Sequence, residues 1–493
     1  MIRTKIVATM GPASSGPDVL MRLFEEGMDV CRLNFSHGDM GEHLKTLKVI
    51  REVAARRGQT VAVLGDLGGP KIRLGKIEDV DGTGGMPIGV GDVLHFVREP
   101  VLGRNLRVST TYPNFVDDVK VGDRILIEDG LIRCVAIDKK ANEVLATCTS
   151  GGVIKSAKGI NLPNTAVSIP SITDRDWQCV DWAVEHDLDF LALSFVRRPE
   201  DLTLLREHLH GKRSAIDLIA KIEKSEALTR IDDIIDVSDG LMIARGDLGV
   251  EMDLAQVPII QKDLIKRCQC AGKPVIVATQ MLQSMIEQSS PTRAEVSDVA
   301  NAIYDGADAI MLSGETSVGK YPVATVHVMN HVAEVTEEYL ITQSPELQPA
   351  IKVRSLQLSG AVARGVWQIV RDLKVKLLAV WSQTGTTARI FSKYRFPVPI
   401  IAFSSDRGTL RQMAIHFGVI PQEMTAPADI TALIAQVDAF VREKQYAAES
   451  DRIVIVAGAA LGTPGTMDGI IIHTVGTLPV AAERRQIGDL ETT

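Results

Sequence analysis

The stretch DLIAKIEKSEALTRIDDIIDVSDGLMIARGD, residues 217–247, decides the fold. It begins and ends with short apolar runs, DLIAKIE (217–223) and GLMIARGD (240–247), and each run finishes in charged side chains. The residues between the runs have helical periodicity. Continuous apolar runs that alternate with helices are typical of buried parallel strands. We therefore interpret this stretch as a strand–helix–strand unit of a parallel sheet.

Six further runs have the same texture, which gives eight in all. They are KIVATMG (5–11), VCRLNFSHG (30–38), VAVLGD (61–66), FLALSFVR (190–197), PVIVATQ (274–280) and AIMLSGE (309–315). Eight such units predict a closed (β/α)₈ TIM barrel, in the α/β class. Polar residues gather at the C-terminal ends of the runs, the face where barrels of this kind carry their active sites. They are Arg32, Asn34, Ser36, Asp66, Ser194, Lys221, Glu223, Arg245, Asp247, Thr279, Gln280, Ser313 and Glu315.

Composition excludes several classes of function. The 493 residues carry a formal net charge of −8, which argues against general binding to nucleic acid or to an anionic membrane. No apolar run approaches the ~20 residues that a membrane-spanning helix needs. The six cysteines are scattered without a metal or redox spacing, so we expect free thiols in a reducing compartment. Since a strand-like run begins near residue 2, we expect no signal peptide and a cytoplasmic location.

Two regions differ from the barrel pattern. Residues 71–167 contain short alternating stretches with Gly-Asp turns, such as VGDVLHF (90–96) and VGDRILIEDG (121–130), and predict an inserted β-rich domain over the barrel mouth. Residues 346–493 combine a helical stretch, SLQLSGAVARGVWQIVRDL (355–373), with four apolar runs and predict an open α/β domain. The barrel would then consist of residues 1–70 and 168–345.

The segment SQTGTTARI (382–390) in the third region ends a strand and opens a helix. Free N–H groups at the start of that helix would suit a phosphate, with Ser382, Thr384, Gly385, Thr386 and Thr387 as candidate contacts. An ordinary helix cap explains the same residues equally well.

Three charged residues in the deciding stretch point to chemistry. Lys221 and Glu223 are two apart on one strand, so their side chains point the same way, and Asp247 ends the next strand within reach of Glu223. Two carboxylates beside a lysine can hold Mg²⁺ with water and substrate oxygens, while the lysine faces a phosphoryl group or an enolate. A structural salt bridge is the alternative.

The motifs together resemble the pyruvate kinase family, in the family's own order. They are TKIVATMGPAS (4–14), RLNFSHG (32–38), GPKIRLG (69–75), KGINLP (158–163), AKIEKSEAL (220–228), MIARGDLGVE (242–251), ATQMLQSM (278–285) and PTRAEVSDVANAIYDGADAIMLSGETSVGKYP (291–322). The resemblance implies Mg²⁺-dependent phosphoryl transfer from phosphoenolpyruvate to ADP, which gives pyruvate and ATP. It also implies a mobile lid domain, an allosteric C-terminal domain and a homotetramer.

The resemblance carries roles over to single residues. Glu223 and Asp247 match the Mg²⁺ ligands, for which Mn²⁺ could substitute, and Lys221 matches the lysine facing the phosphoryl group. Arg32 matches the arginine that binds the substrate phosphate. The N–H groups of Gly246 and Asp247, helped by the Thr279 hydroxyl, match the carboxylate site. Thr279, Ser313 and Glu315 match the region that delivers a proton to the enolate, and Arg73 and Lys158 match the contacts to the nucleotide phosphates.

The sequence departs from the usual family pattern at Lys71. Most members need K⁺, held by groups matching Asn34, Ser36, Asp66 and the residue at 67, and they carry glutamate at the position of Lys71. A lysine ammonium has about the size and charge of K⁺. We therefore expect Lys71 to meet Asp66 and replace the ion, so that K⁺ is not required and the chain falls in the K⁺-independent branch. The alternative is a solvated hinge residue.

Regulation is expected from a phosphorylated effector at residues 382–387. SQTGTTARI resembles the family loop that holds an effector phosphate, but Gln383 stands where some members activated by fructose 1,6-bisphosphate carry a basic residue, and TPGTMDGIIIHTVG (463–476) has no lysine or arginine. We expect a sugar or nucleotide monophosphate to activate, and fructose 1,6-bisphosphate to be weak or inactive.

Two rival functions remain open at this point. A Mg²⁺-dependent pyruvate-enolate lyase or aldolase could use the same strand-end acids, although such barrels lack this insertion. A catalytically dead sugar-phosphate sensor would need a lost catalytic residue, and none is missing from the motifs.

Overall fold

The computed structural model describes residues 2–79, 82, 84–163, 165–343, 351–458 and 469–477. The chain forms two compact units, one from the residues before 346 together with 351–353, and one from 346–350 and the residues after 353. The predicted boundary at 345/346 lies outside the described residues.

The strands of the first unit fall into a barrel set and an inserted set. The chain begins with the barrel strands β1 (Lys5–Thr9), β2 (Val30–Asn34) and β3 (Ala62–Asp66). The inserted strands follow as β4 (Met86–Ile88), β5 (Val93–Val97), β6 (Arg107–Ser109), β7 (Arg124–Ile127), β8 (Ile132–Lys140), β9 (Glu143–Ser150), β10 (Gly152–Ile154) and β11 (Ile160–Asn161). The barrel resumes with β12 (Phe190–Leu193), β13 (Asp217–Ile222), β14 (Gly240–Ala244), β15 (Val275–Ala278) and β16 (Ala309–Leu312).

The eight predicted runs form one closed parallel barrel. Its strand order is β1-β16-β15-β14-β13-β12-β3-β2, and the predicted (β/α)₈ fold is confirmed. Each strand is buried along almost its whole length because the barrel interior covers one face and the helices cover the other. Parallel closure places the carboxyl ends of all eight strands at one rim.

Helices connect the barrel strands. They are α1 (Pro17–Glu25), α2 (Met40–Arg57), then α3 (Phe115–Asp118) in the insertion, α4 (Asp174–Glu185), α5 (Pro199–Gly211), α6 (Ser225–Leu228), α7 (Ile231–Val237), α8 (Arg245–Glu251), α9 (Val257–Ala271), α10 (Arg293–Tyr304), α11 (Gly314–Ser317) and α12 (Pro322–Thr342). Single turns of 3₁₀ helix lie at Leu254–Gln256 and Gln283–Ile286. Local sequence sets several helix starts: the Thr292 hydroxyl accepts from the Glu295 N–H, and the Glu295 carboxylate accepts from the Thr292 N–H.

The inserted segment has a β-rich fold with its own core. Six strands form a sheet in the order β11-β7-β8-β9-β5-β6, and β10 pairs with β4. Buried side chains such as Leu94, Phe96, Ile125 and Val144 pack together inside it. The β-rich insertion is therefore confirmed, with the four-residue helix α3 as an addition that the sequence did not indicate.

The second unit is an open sheet with helices. Its strands β17 (Leu378–Trp381), β18 (Ile400–Ser404), β19 (Val419–Glu423), β20 (Arg452–Ala457) and β21 (Gly469–Thr474) lie in the order β19-β18-β17-β20-β21. The helices are α13 (Gln357–Asp372), α14 (Thr386–Ser392), α15 (Arg407–Met413) and α16 (Ile430–Glu443), with a 3₁₀ turn at Arg354–Leu356. The predicted open α/β domain is confirmed. The sequence interpretation missed β19, whose residues VIPQE contain a proline and two polar side chains.

Two further expectations concern the whole chain. All six cysteines are free thiols. Across the described ranges, no helix has both the length and the hydropathy needed to span a bilayer.

Candidate active site

A cavity of about 350 Å³ opens at the carboxyl ends of the barrel strands. Most of the residues predicted to carry chemistry line it. They are Arg32, Asn34, Ser36, Lys71, Arg73, Ser194, Lys221, Glu223 and Asp247. The structure therefore brings these predicted residues together at one rim, because parallel strands deliver their last residues to the same side.

Four neighbouring strands bring opposite charges together below this cavity. Arg32 lies on β2, Asp66 ends β3, Ser194 follows β12, and Lys221 lies on β13. The Lys221 ammonium lies 3.1 Å from Oδ1 of Asp66 and 2.9 Å from Oε1 of Glu223. It also donates to Ser194 Oγ at 2.6 Å. Arg32 Nε donates to Oδ2 of Asp66 at 2.7 Å, so both carboxylate oxygens of Asp66 have a cation partner.

Burial strengthens these ion pairs, and the ion pairs keep the Asp66 carboxylate and the Lys221 ammonium charged. Asp66 and Glu223 are 1% and 2% exposed. Burial favours the neutral acid at Asp66, but Lys221 and Arg32 outweigh it and hold the Asp66 pKa below its usual value. Burial also opposes the charge on Lys221, yet Asp66 and Glu223 raise its pKa above the ordinary lysine value. Lys221 is therefore a permanent, fixed cation.

Two partners in this network escaped the sequence interpretation. Thr9, which ends β1, accepts from Arg32 Nη1 through its hydroxyl at 2.8 Å. The backbone N–H of Phe195 donates to Oε2 of Glu223 at 2.7 Å. Phe195 has φ +54°, an uncommon value for a residue with a side chain. The run KIVATMG already contained a threonine near its C-terminal end, whereas nothing in the sequence indicated the left-handed Phe195.

Asp247 lies in the first turn of α8, so its predicted place at the end of a strand is wrong. Strand β14 stops at Ala244, and the chain enters α8 at once. Burial, followed by repulsion from the Glu223 carboxylate, raises the pKa of Asp247 to about 6. The Glu223 and Asp247 carboxylates repel each other, and a divalent cation bound between them would remove that repulsion.

The donor set fits a magnesium ion held partly by substrate. Within the described residues, no group of three or more His, Cys, Asp and Glu side chains is arranged to hold a metal alone. Glu223 and Asp247 would therefore supply two oxygen ligands and leave the rest of the shell to water and substrate. Mg²⁺ usually keeps several waters and takes only one or two carboxylates, so the pair suits it.

The loop after β15 holds Thr279 in a strained conformation. Thr279 and Gln280 have φ values of +68° and +55°. The Thr279 hydroxyl accepts from the Gly246 N–H at 2.8 Å and donates to the Ala278 carbonyl at 2.6 Å. Arg245 Nη2 donates to the Thr279 carbonyl at 2.8 Å, which fixes the loop. The Gly246 N–H predicted to bind substrate thus binds Thr279 in this structure.

Ser313 and Glu315 lie at the first turn of the short helix α11, directly after β16. The buried Glu315 carboxylate accepts from the N–H of Ser313 at 2.7 Å and from that of Leu282 at 3.3 Å. Its oxygens therefore hold backbone in place. The side chains of Ser313 and Glu315 do not line the described part of the active-site cavity.

Lys71 lies in the cavity but not where the sequence placed it. Among the described residues it makes no ion pair and no side-chain hydrogen bond, and Asp66 pairs instead with Arg32 and Lys221. The expected contact between Lys71 and Asp66 is wrong, because two buried cations occupy both carboxylate oxygens. The Lys71 stem runs beside Gly159, where an added Cβ would come within 3.1 Å of Lys71 Cε.

Arg73 and Lys158 lie where the chain leaves and re-enters the barrel. Arg73 Nη1 donates to the Ala157 carbonyl at 3.0 Å, and the Leu74 N–H donates to the Lys158 carbonyl at 2.8 Å. Lys158 pairs with Glu128 of the inserted domain. We call residues 70–75 and 157–162 the two crossing segments. Arg73 lies in the first crossing segment and Lys158 in the second.

Comparison with known proteins identifies the chain. The family model for the pyruvate kinase barrel domain matches residues 1–326, and the model for the pyruvate kinase alpha/beta domain matches residues 360–473. The chain belongs to the pyruvate kinase family. The pyruvate kinase of Geobacillus stearothermophilus is 43% identical over 97% of this chain and 81% of its own length. That of Bacillus licheniformis is 40% identical over 99% and 83%. A pyruvate kinase structure from Cryptosporidium parvum matches with a TM-score of 0.87 and 34% identity over 96% of each chain.

The family assignment fixes the reaction. This pyruvate kinase transfers the phosphoryl group of phosphoenolpyruvate to ADP in glycolysis and is a phosphotransferase. The family generally uses Mg²⁺. The lyase and sensor alternatives are therefore wrong.

The candidate effector segment forms a strand–loop–helix junction in the second unit. Helix α14 begins at Thr386, and Gly385 before it has φ +74°. The Thr384 hydroxyl donates to that of Thr386 at 3.2 Å, while Ser382 is buried. Gln383 donates to Ser405 Oγ at 3.1 Å. Residues 463–468 of the segment TPGTMDGIIIHTVG (463–476) lie outside the described residues.

Proposed function

We propose that Lys221 is the fixed cation that stabilises phosphoryl transfer in this pyruvate kinase. Its three contacts to Ser194, Asp66 and Glu223 carry the proposal, because they hold the ammonium at the cavity floor before any substrate arrives. During transfer, negative charge spreads over the equatorial oxygens of the phosphoryl group. A cation that is already oriented stabilises that charge without reorganisation.

Glu223 and Asp247 would hold Mg²⁺. The mutual repulsion that raises the Asp247 pKa supports this pair, since a divalent ion cancels it. Mn²⁺ accepts the same oxygen ligands and would substitute. When bound, the ion would neutralise charge on the substrate oxygens.

Arg32 would bind the substrate phosphate. Two of its N–H groups donate to Asp66 and Thr9, and its side chain lines the cavity. The substrate carboxylate would take the N–H groups of Gly246 and Asp247 after displacing the Thr279 hydroxyl. That hydroxyl, released beside the enolate, would then pass a proton through water, with the Ser313–Glu315 turn holding the surrounding backbone.

Arg73 and Lys158 would bind the ADP phosphates. Because they lie on the two crossing segments, a nucleotide held by both would draw residues 71–167 towards the barrel of residues 1–70 and 168–345 and exclude water. Residues 346–493 would form the regulatory domain, with a phosphorylated effector at Ser382, Thr384, Gly385, Thr386 and Thr387. A cytoplasmic homotetramer is the assembly that we expect.

Lys71 would make the enzyme independent of K⁺ through its position in the cavity with Asn34 and Ser36. Initial rates in tetramethylammonium buffer, with and without KCl, test this role. We expect full activity without K⁺ or Na⁺. A large stimulation by KCl would make Lys71 a solvated hinge residue.

The overall assignment is tested by following pyruvate formation from phosphoenolpyruvate and Mg²⁺ with and without ADP. We expect pyruvate only when ADP is present, and loss of turnover in Glu223→Gln with the fold retained. Pyruvate formation by Glu223→Gln at a near-normal rate would contradict the metal site.

A further inference from the structure

A buried polar cluster joins the inserted domain to the barrel beneath the active site. Oε1 of Glu251 accepts from Lys224 Nζ at 2.6 Å and from Asn161 Nδ2 at 3.2 Å. The side chain of Glu251 is 1% exposed and that of Lys224 is 17% exposed. No proposed catalytic step uses any of these three residues.

Each member of the cluster belongs to a different part of the site. Asn161 ends β11, in the second crossing segment, and β11 pairs with β7 of the inserted domain. Lys224 directly follows the proposed metal ligand Glu223. Glu251 ends α8, one helical turn after the other proposed ligand, Asp247. One carboxylate oxygen therefore connects the crossing segment to both metal ligands through rigid, short paths.

A small cavity of about 30 Å³ lies beside the cluster. Both crossing segments line it through Lys71, Ile72 and Asn161, and the barrel contributes Lys224 and Phe195. Phe195 is the residue whose N–H holds Glu223. The cavity therefore lies between both crossing segments and the residue whose N–H positions Glu223.

Stability alone is a poor reason for such a cluster. Taking an ion pair out of water costs several kcal/mol per ion, and well-packed apolar residues often serve stability equally well. What a buried ion pair adds is a defined geometry. Here that geometry spans a domain crossing and a metal site.

We propose that Glu251 is a positioning residue that couples the position of the inserted domain to the two metal ligands. Movement of Asn161 changes the hydrogen bond at Glu251, and α8 and the end of β13 pass the change to Asp247 and Glu223. The reverse path lets an occupied metal site order the crossing segments. This inference rests on the proposed metal ligands.

Amide hydrogen exchange of residues 155–162 tests the coupling, with and without Mg²⁺ plus phosphoenolpyruvate. In the unmodified enzyme we expect these ligands to slow exchange about fivefold or more, within the usual range of coupling between sites. In Asn161→Ala, which cuts only the arm to the inserted domain, and in Glu251→Gln, we expect less than about a twofold change. Glu200→Gln removes an exposed ion pair with Arg230 and serves as the control, with the full response retained.

Mn²⁺ binding, followed by the electron paramagnetic resonance of the free ion, separates this inference from the metal assignment. We expect Asn161→Ala to bind Mn²⁺ and Asp247→Asn to lose it. If Asp247→Asn binds Mn²⁺ as the unmodified enzyme does, the metal assignment fails and the coupling falls with it. If Asp247→Asn loses Mn²⁺ but Asn161→Ala keeps the full exchange response, the coupling alone is overturned.

Discussion

Replacing Lys221 with methionine isolates the role of the buried ammonium. Methionine keeps most of the aliphatic volume and removes the charge. The change deletes contacts to Ser194 at 2.6 Å, to Glu223 at 2.9 Å and to Asp66 at 3.1 Å. We expect it to affect both turnover and stability, by different amounts and for different reasons.

The catalytic loss follows from the electrostatic role. Removing one preorganised group that stabilises transition-state charge costs about 2.7–4 kcal/mol, or roughly a hundred- to a thousandfold in kcat. The stability loss follows from the broken pair. Breaking a buried ion pair costs about 3–5 kcal/mol. We expect the lower end, because Arg32 still neutralises Asp66 and the Phe195 N–H still binds Glu223.

Lys5→Met is a matched control. Lys5 is also buried and pairs with Asp29 at 3.0 Å, but it lies at the amino end of β1, opposite the active-site rim. We expect a comparable loss of stability and an unchanged kcat. Pyruvate formation at saturating substrates measures the rate, and denaturant unfolding measures stability. A fall in kcat of less than tenfold in Lys221→Met would remove Lys221 from the mechanism, whatever the stability loss.

The Lys221→Met substitution should also change the pH at which the enzyme unfolds in acid. The depressed pKa of Asp66 means that its ion pairs contribute stability above the unfolded pKa of about 3.9 and lose it as the pH falls through the folded value. Without Lys221, burial has only Arg32 to oppose it, so the Asp66 pKa rises. We expect Lys221→Met to unfold at a higher pH than the unmodified enzyme during acid titration. If Lys221→Met and the unmodified enzyme unfold at the same pH, this account of the Asp66 ion pairs is contradicted.

Three further predictions concern the other assigned groups. Asp247→Asn should lower turnover by more than the roughly 10–100-fold seen for lost outer-shell metal partners, with the melting temperature retained, and near-normal activity at low Mg²⁺ would contradict it. Lys71→Glu should make initial rates depend on KCl, whereas the unmodified enzyme should not respond. A panel of phosphorylated effectors at sub-saturating phosphoenolpyruvate should show activation by a sugar or nucleotide monophosphate, and strong activation by fructose 1,6-bisphosphate would refute the reading of Gln383.

The barrel was predictable because its signal is local and repeated. Each strand is buried on both faces and therefore reads as a continuous apolar run, and the chain repeats this eight times. The rim residues followed from topology alone, since parallel closure sends every run's last residues to one side. Strand β19 could not be predicted in this way, because its sequence VIPQE is not a continuous apolar run. Backbone pairing with β18 makes this segment a strand.

The contacts within the site were harder to predict because they depend on competition between side chains. The sequence showed several cations near Asp66 but not which ones would reach it. Arg32 approaches from β2, next to the β3 strand that carries Asp66, and Lys221 approaches from β13, two strands away on the other side of β3, whereas Lys71 lies after a bend in a crossing segment. The Asn161–Glu251 contact joins residues 90 positions apart, and no local pattern records it.

Charge balance gives Lys71 a role that does not need contact with Asp66. At the cavity floor the two cations Arg32 and Lys221 cancel the two carboxylates Asp66 and Glu223, and Asp247 adds one further negative charge. Bound Mg²⁺ would leave this set at about +1, while a substrate with a phosphate and a carboxylate brings about −3. The remaining negative charge must be met by groups around the cavity. The further cations that line it are Lys71, Arg73 and Arg175, and the Asp176 carboxylate is also among the lining residues. In a confined, weakly screened cavity a cation acts over several ångströms. Glutamate at position 71 would change the balance by two charges, which is why a soluble monovalent cation should then become necessary.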